Sequence, residues 1–262
     1  MHVLRDGTVV EDIRLDRLIE FDEKSRNYGL GKTLDKEPRS HYWNLNIEAL
    51  DQKSEGACVG FGISGELACD PAAVKGITNR FARELYWKAQ REDNFPGGEY
   101  PGAYPRSAGT SVLAGMKAAR EMGYIEGWKY AFGLMELILG IDYDGPSVMG
   151  TNWYNDMYTT DKYGFVEPTG DFVGGHCWLV YGVNWEEKFF LCRNSWGSEY
   201  GINGDFYLSF DGMEFLLRNN GESVFFEGRH ENPIMRFIRK MVRRMPPQHR
   251  GGSIWKTILA SR

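Results

Sequence analysis

The sequence lacks an apolar run long enough to cross a membrane, and its first eighteen residues lack the apolar core of a secretory signal peptide. It has only four cysteines in 262 residues, at positions 58, 69, 177 and 192. None forms a CxxC pair or has zinc-site spacing, so we expect neither a metal nor a cofactor. These absences favour a reducing compartment, and we expect a cytoplasmic protein.

Charge is unevenly distributed along the chain. The net charge is −5, but residues 231–262 carry eight Lys and Arg against one Glu, or +7, which leaves −12 on residues 1–230. Within this basic tail (231–262), apolar residues fall on one helical face and basic residues largely on the other, which predicts a basic amphipathic helix. Such a helix can lie on a membrane, bind nucleic acid or a partner, or dock on the body. No nucleic-acid-binding fold accompanies it, so docking or a protein partner is favoured.

Cys58 and Gln52 form the first pair of candidate functional residues, in the stretch DQKSEGACVGF. Cys58 opens a helical pattern, and a thiol at a helix N-terminus feels the positive end of the helix dipole, which favours the thiolate. Gln52 lies six residues earlier, and a side-chain amide can donate a hydrogen bond to the oxyanion that thiolate attack creates. The alternative is that Cys58 is a small buried residue, as free cysteines commonly are.

A histidine and an asparagine supply the other two groups that such chemistry needs. A catalytic thiol requires a base to accept its proton and a third group to orient the imidazole. His176 lies 118 residues beyond Cys58, and Asn194 follows 18 residues later. Two alternating apolar runs carry them, joined by the turn-prone residues 184–188. This pattern predicts a hairpin with the two side chains on neighbouring strands.

The residues around these positions resemble the hallmark motifs of the papain family of cysteine peptidases. The family has DQGxCGSCWAF around its nucleophile, where this chain has DQKSEGACVGF. It has NSWGxxWGxxGY around its asparagine, where this chain has NSWGSEYGINGDF. The resemblance covers about residues 38–217. The second motif is the more specific, with six residues in register: Asn194, Ser195, Trp196, Gly197, Gly201 and Gly204.

The resemblance implies a role for each candidate. Cys58 would be the nucleophile, forming a thiolate–imidazolium pair with His176, the general base and acid. Asn194 would orient the imidazole, and Gln52 would be the oxyanion-hole side chain. Trp196 would shield the His–Asn hydrogen bond from water.

Two departures from the family pattern affect packing more than chemistry. Glu55 stands where the family commonly has a disulfide-forming cysteine, and Val59 where it has a tryptophan. The four cysteines do not fall on the family's disulfide positions, so we expect four free thiols.

The order of predicted elements indicates an α+β protein, and the resemblance implies two lobes with the active site in the cleft between them. We expect an N-terminal arm at 1–37, a catalytic domain at 38–230 and the basic tail. The catalytic domain would divide into a helical lobe at about 50–140 and a sheet lobe at about 141–218. Helices are predicted at 12–24, 58–68, 77–91, 111–122, 130–139 and 211–218, and strands at 145–153, 177–183, 189–192 and 205–210.

The N-terminal arm and one loop glycine complete the predictions. Family propeptides often cover the cleft, but this arm is shorter, so a structural arm is favoured over a complete propeptide. Its shortness resembles prokaryotic and bacteriophage members, which implies virion association if a phage encodes the chain. Gly109 is the candidate substrate-binding glycine by its resemblance to the family's substrate-binding segment, although loop glycines more often serve turns.

The leading hypothesis is a cysteine peptidase that acts on a polypeptide substrate. The same four groups could also cleave isopeptide or other amide bonds, or transfer an acyl group. The rival from another class is a catalytically silent scaffold that binds or assembles. A scaffold has no need of Gln52, Cys58, His176 and Asn194 together, which favours the enzyme.

Overall fold

The computed structural model describes residues 1–31 and 35–229 of the chain. The basic tail lies outside the described residues. The described part combines five α-helices with a seven-stranded sheet, which confirms the predicted α+β class. No helix within these residues is long and apolar enough to cross a membrane.

The helices begin where the sequence supplies capping side chains. The hydroxyls of Thr78, Ser111 and Ser209 accept backbone N–H bonds in the first turns of three helices, which satisfies donors that a helix start leaves open. Four of the six predicted helices are confirmed within two residues at either end. The α-helices of the described residues are α1 (Cys58–Leu67), α2 (Asn79–Glu92), α3 (Val112–Glu121), α4 (Leu134–Tyr143) and α5 (Phe210–Arg218).

The strands form one large antiparallel sheet and two small pairs. In chain order they are β1 (His2–Val3), β2 (Val9–Val10), β3 (Arg17–Leu18), β4 (His41–Tyr42), β5 (Thr110–Ser111), β6 (Gly127–Ala131), β7 (Ser147–Tyr154), β8 (Phe172–Asn184), β9 (Phe189–Arg193), β10 (Asp205–Ser209) and β11 (Glu222–Glu227). The large sheet has the order β10-β9-β8-β7-β11-β6, with β4 paired to the end of β8. β8 and β9 pair antiparallel, so the predicted hairpin is confirmed.

The helix predicted at 12–24 is wrong. This segment contains turns, the two residues of β3 and the start of a 3₁₀ helix at Glu23–Asn27. Residues 15–18 are all buried, and Arg17 and Leu18 pair as β3 with Thr110 and Ser111, which lie far away in sequence. An extended segment that other elements enclose on several sides buries all four of these residues.

The helix predicted at 130–139 is displaced, because a strand precedes it. β6 ends at Ala131 and α4 starts at Leu134. β6 pairs with β11, for which the sequence pattern predicts no strand. β11 lies between β7 and β6 in the sheet. The sheet therefore includes strands both before and after residues 141–218, the predicted range of the sheet lobe. The pairing partners of β11 are distant in sequence, and pairing of this kind leaves little local signal.

Helix α1 is packed closely on two sides, and glycines make this possible. A Cβ atom on Gly60 would lie 2.3 Å from the carbonyl oxygen of Ala82 in α2. A Cβ atom on Gly62 would lie 2.8 Å from the Cys177 sulfur in β8. The glycines therefore let α1 approach both α2 and the sheet, and they fix the position of its first residue, Cys58.

We predict opposite effects for two alanine substitutions in α1. Alanine stabilises a helix by about 1 kcal/mol relative to glycine, but overpacking costs roughly 1–3 kcal/mol. Gly60→Ala should lower the free energy of unfolding, because its Cβ meets a backbone carbonyl. Gly65→Ala should leave it equal or higher, because its Cβ would lie 3.4 Å from Leu179, at ordinary contact distance. Urea denaturation measures both, and equal effects would contradict the packing argument.

Candidate active site

Cys58 is the first residue of α1 and is fully buried. The preceding Ala57 supplies no side-chain cap. The Cys58 backbone N–H instead donates to the Oδ1 atom of Asp16 at 3.2 Å. The helix start therefore directs its open N–H group at an acidic side chain of the N-terminal arm.

His176 and Asn194 meet across the β8–β9 hairpin. His176 Nε2 lies 2.8 Å from Asn194 Oδ1, and this bond assigns the proton to Nε2 because the amide oxygen can only accept. His176 Nδ1 is buried and has no hydrogen-bond partner among the described residues. In this tautomer Nδ1 is the atom that can accept a proton. The pair has the arrangement of a base and its orienting group.

Two tryptophans enclose the imidazole. Trp196 lies 5.0 Å from His176, and Trp153, on β7, packs edge-on at 4.7 Å between ring centroids. Trp196 is 8% exposed and Trp153 is fully buried, so two largely buried indole rings lie against the imidazole. Trp153 was absent from the sequence candidates, although it occupies the inward side of an alternating strand.

Gln52 connects the two motif regions. Its backbone N–H donates to the Ser195 carbonyl at 2.8 Å, and its Oε1 accepts from the Ser195 hydroxyl at 2.6 Å. Its Nε2 donates to the carbonyl of Glu55 at 2.7 Å and to that of Arg14 at 3.4 Å. One of the two hydrogen bonds that Gln52 Nε2 donates therefore goes to the N-terminal arm.

The arm occupies the cleft beside these groups. β3 pairs parallel with β5, next to Gly109. Asp16 forms a β-bridge with Gly175, the residue before His176. A Cβ atom on Gly109, whose φ is +108°, would lie 3.0 Å from Leu18, so this glycine allows the arm to approach.

Arg5 anchors the start of the arm. Its buried guanidinium pairs with Asp93 at 2.7 Å and donates to the carbonyls of Gly109 at 3.0 Å and Gln90 at 3.1 Å. A buried charge this well satisfied is costly to disturb. The arm is therefore held at β1–β2 as well as at β3.

Asp16 carries an unsatisfied carboxyl at the centre of the site. The residue is fully buried, and its Oδ2 atom has no partner among the described residues. Burial raises the pKa of Asp16 from 3.8 to about 7, against the opposing effect of its hydrogen bond with Cys58. The carboxyl is therefore neutral through the acidic range.

While the arm is docked, Cys58 and His176 do not form the thiolate–imidazolium pair that the resemblance implies. Burial, followed by the Asp16 charge, raises the pKa of the Cys58 thiol well above its usual value. Burial lowers the pKa of His176 to about 4, although the Asn194 hydrogen bond acts in the opposite direction. Both groups are therefore neutral at pH 7. The dipole argument for Cys58 omitted the arm, which excludes water and adds a carboxyl.

The four cysteines form no disulfide among the described residues. Cys58, Cys69, Cys177 and Cys192 are buried free thiols. Within residues 1–31 and 35–229, no group of three His, Cys, Asp or Glu side chains could hold a metal ion. The sequence candidates omitted Asp16 and Arg14, because residues 11–20 (EDIRLDRLIE) are rich in charged side chains and nothing local distinguishes these two from the others.

Comparison with known proteins identifies the fold. No family model matches the chain. Xylellain, a cysteine protease from Xylella fastidiosa, superposes with a TM-score of 0.65 at 15% identity, covering 84% of this chain and 98% of that one. Procathepsin L 3 from the larval midgut of Tenebrio molitor superposes with a TM-score of 0.55 at 13% identity, covering 82% and 77%. The chain has the papain-like fold.

Two curated proteins match shorter stretches of this papain-like chain. Tiger protein B1 of Dictyostelium discoideum is 30% identical over 98 residues, 33% of this chain and 10% of that protein. The uncharacterized peptidase C1-like protein L477 of Acanthamoeba polyphaga mimivirus is 42% identical over 38 residues, 14% of this chain and 12% of that protein. Each match thus spans a small part of the relative.

We predict that Asp16 suppresses the reactivity of Cys58. In Asp16→Ala the carboxylate that raises the thiol pKa is lost, and each unit of lowered pKa increases the thiolate fraction about tenfold. Iodoacetamide labelling at pH 7, read by peptide mapping, should become faster at Cys58 and stay slow at the other three cysteines. Asp6→Ala, at an exposed arm position, is the matched control. Equal labelling in both variants would contradict the role of Asp16.

The pKa of Asp16 also predicts how stability depends on pH. The folded chain holds this proton up to about pH 7, whereas the unfolded chain releases it near pH 3.8. Its contribution is therefore most favourable below about pH 4 and falls as the pH rises to about 7, by at most about 1.4 kcal/mol per unit. The unfolding free energy of the wild type minus that of Asp16→Asn should show this fall. A difference that stays constant with pH would refute it.

Proposed function

We propose that this chain is a cysteine peptidase that its N-terminal arm keeps latent, and that it hydrolyses polypeptides once the arm leaves the cleft. One observation carries the proposal. Oxygen atoms of the arm contact both candidate oxyanion donors: Asp16 Oδ1 accepts from the Cys58 N–H, and the Arg14 carbonyl from Gln52 Nε2. Donors of this kind stabilise the negative oxygen of an acyl-transfer intermediate.

Departure of the arm would change the protonation of the site. The thiol loses the neighbouring carboxyl and gains access to water, so its pKa falls toward the range set by the helix N-terminus and the histidine. His176 gains solvation, so its pKa rises. The proton then passes from the Cys58 sulfur to His176 Nδ1, while the Nε2–Asn194 bond holds the ring in place.

The reaction then follows from these groups. The thiolate sulfur of Cys58 attacks the carbonyl carbon of the substrate, and the oxyanion accepts hydrogen bonds from Gln52 Nε2 and the Cys58 N–H. His176 gives its proton to the departing amine as the C–N bond breaks, which leaves a thioester. Water attacks the thioester with His176 as base, and the carboxylic acid product leaves as the thiol is restored.

Active-site titration tests the proposal. In full-length Arg5→Ala the arm loses its buried anchor, so a thiol-directed peptide epoxide should label Cys58 at one equivalent per chain, and fluorogenic peptides should be cleaved. Cys58→Ala in the same background should abolish both. Cleavage that persists without Cys58, or an unlabelled Cys58 after limited proteolysis has shown the arm displaced, would overturn the proposal.

The oxyanion role of Gln52 gives a second prediction. Loss of one such donor lowers turnover by roughly 10²–10³. Gln52→Ala and Gln52→Glu, each combined with Arg5→Ala, should both show this loss, since glutamate keeps the acceptor for Ser195 but removes the amide donor. Ser195→Ala removes only the supporting hydroxyl and should cost less. Full turnover in Gln52→Glu would exclude Gln52 as the donor.

A further inference from the structure

A groove between the arm and the body leaves two aromatic side chains open to solvent. Phe21 of the arm is 59% exposed, and Phe132, the residue after β6, is 56% exposed. Both line the groove, which has a volume of about 470 Å³, together with Leu217 near the end of α5. A contiguous exposed apolar patch is typical of an interaction surface, whereas single exposed apolar residues are common everywhere. The groove is therefore a candidate docking surface.

The rim of this groove is acidic. Asp22 and Glu23 line it next to Phe21, and both are exposed. Glu136 lies beside it, where its carboxylate accepts the Phe132 N–H at 2.9 Å. None of the described residues that line the groove is a lysine or an arginine. The groove thus combines apolar contact area with negative charge, which suits an occupant that has one apolar and one basic face.

The basic tail has these two faces. The sequence predicts a helix over residues 234–245, and its apolar side chains share one face while the basic ones largely occupy the other. The apolar set is Ile234, Phe237, Ile238, Met241 and Met245. The basic set is Arg236, Arg239, Lys240, Arg243 and Arg244. Because residues 231–262 carry +7 and residues 1–230 carry −12, tail and body attract each other.

The tail also starts from a fixed point within reach of the groove. Arg229 precedes it, and its guanidinium contacts the buried Glu66 carboxylate in α1. β11 runs from the groove, where Ser223 pairs with Ala131, toward this point. The six residues of β11 span about 20 Å. Four extended residues followed by the predicted helix would span about 30 Å, so the second half of that helix can lie in the groove.

The covalent connection favours the tail over a separate partner. A segment joined to its site by a short connection has an effective concentration in the millimolar range. A second copy of the chain, or another protein, has to compete with that concentration for the same apolar surface. The tail is therefore the occupant that the groove fits best.

We infer that residues 234–245 dock in this groove and hold the arm against the body. A segment seated between Phe21 and Phe132 contacts the arm on one side and the body on the other, so its apolar burial favours the docked arm. Its basic face meets Asp22 and Glu23 at the rim. The docking itself is independent of catalysis, whereas its effect on latency rests on the proposed function.

Zero-length crosslinking of the 262-residue chain tests the docking. A carbodiimide joins a lysine to a carboxylate only where the two are in contact, and Lys240 lies within the proposed docking segment. We expect an amide bond within one chain from Lys240 to Asp22, Glu23 or Glu136, identified by peptide mapping. Crosslinks of Lys240 to another chain, or spread over carboxylates far from the groove, would overturn the inference.

A substitution in the groove shows whether the crosslink depends on apolar docking. Phe132→Ser should lower the crosslink yield roughly 10-fold, as expected for the loss of one buried aromatic side chain. Tyr163→Ser removes an aromatic residue that is 63% exposed elsewhere on the body, and it should leave the yield unchanged. Equal yields in the two variants would contradict docking in the groove. A wild-type chain that binds phosphatidylserine vesicles and then loses the crosslink would mean that the tail prefers a membrane, which would also overturn the inference.

Hydrogen exchange of the arm, measured by mass spectrometry over residues 11–24, tests the hold on the arm. Phe132→Ser and Ile238→Asp should each speed this exchange roughly 10- to 100-fold, because each frees the arm to open. The two together should be no faster than either one, since both remove the same contact. Additive effects, or exchange as slow as in Tyr163→Ser, would overturn the hold. Both measurements need no turnover, so failure of the Arg5→Ala titration would remove the peptidase and leave the docking to be decided here.

Discussion

The close packing of α1 on β8 is the constraint on which the candidate site depends. Gly62 allows the helix to approach the strand at Cys177, one residue after His176. The N-terminal residue of the helix and the imidazole are therefore set by one rigid contact between elements that lie far apart in the chain. Gly60 fixes the same helix on α2 from the other side. A nucleophile held this way needs no loop to position it.

The arm uses the same groups that catalysis would use. It brings oxygen atoms to the two candidate oxyanion donors and an unpaired carboxyl to the thiol. Excluding water raises the pKa of Cys58 and lowers that of His176, so both groups become neutral. The latency that we propose therefore requires no distortion of the site, since desolvation and the Asp16 charge already disfavour the charged pair. The His176–Asn194 bond is already formed in this state.

The two charged arm residues at 16 and 17 are held very differently. Arg17 has a buried partner in Glu222, whereas among the described residues the Asp16 carboxylate accepts from the Cys58 N–H and keeps one oxygen without a partner. The arm thus combines a favourable anchor with an unfavourable buried carboxyl. Ionisation of Asp16 therefore adds to the free-energy cost of docking the arm as the pH rises.

Local sequence patterns were sufficient for some elements because their causes are local. The capped helices α2, α3 and α5 and the β8–β9 hairpin follow from capping residues, apolar periodicity and a turn. β6 and β11 depend on each other as partners in the sheet, and the arm is extended because walls from distant elements bury residues 15–18. Neither condition is visible in a short window of sequence.

The same distinction between local and long-range causes applies to the candidate site. The sequence by itself determined which chemical groups the chain has for the reaction: a thiol, an imidazole and two amides at spacings that resemble a known motif. The tertiary structure alone decided their surroundings. Asp16 meets Cys58 across 42 residues and Arg17 meets Glu222 across 205. Burial and neighbouring charge set a protonation state, and both exist only once the chain has packed.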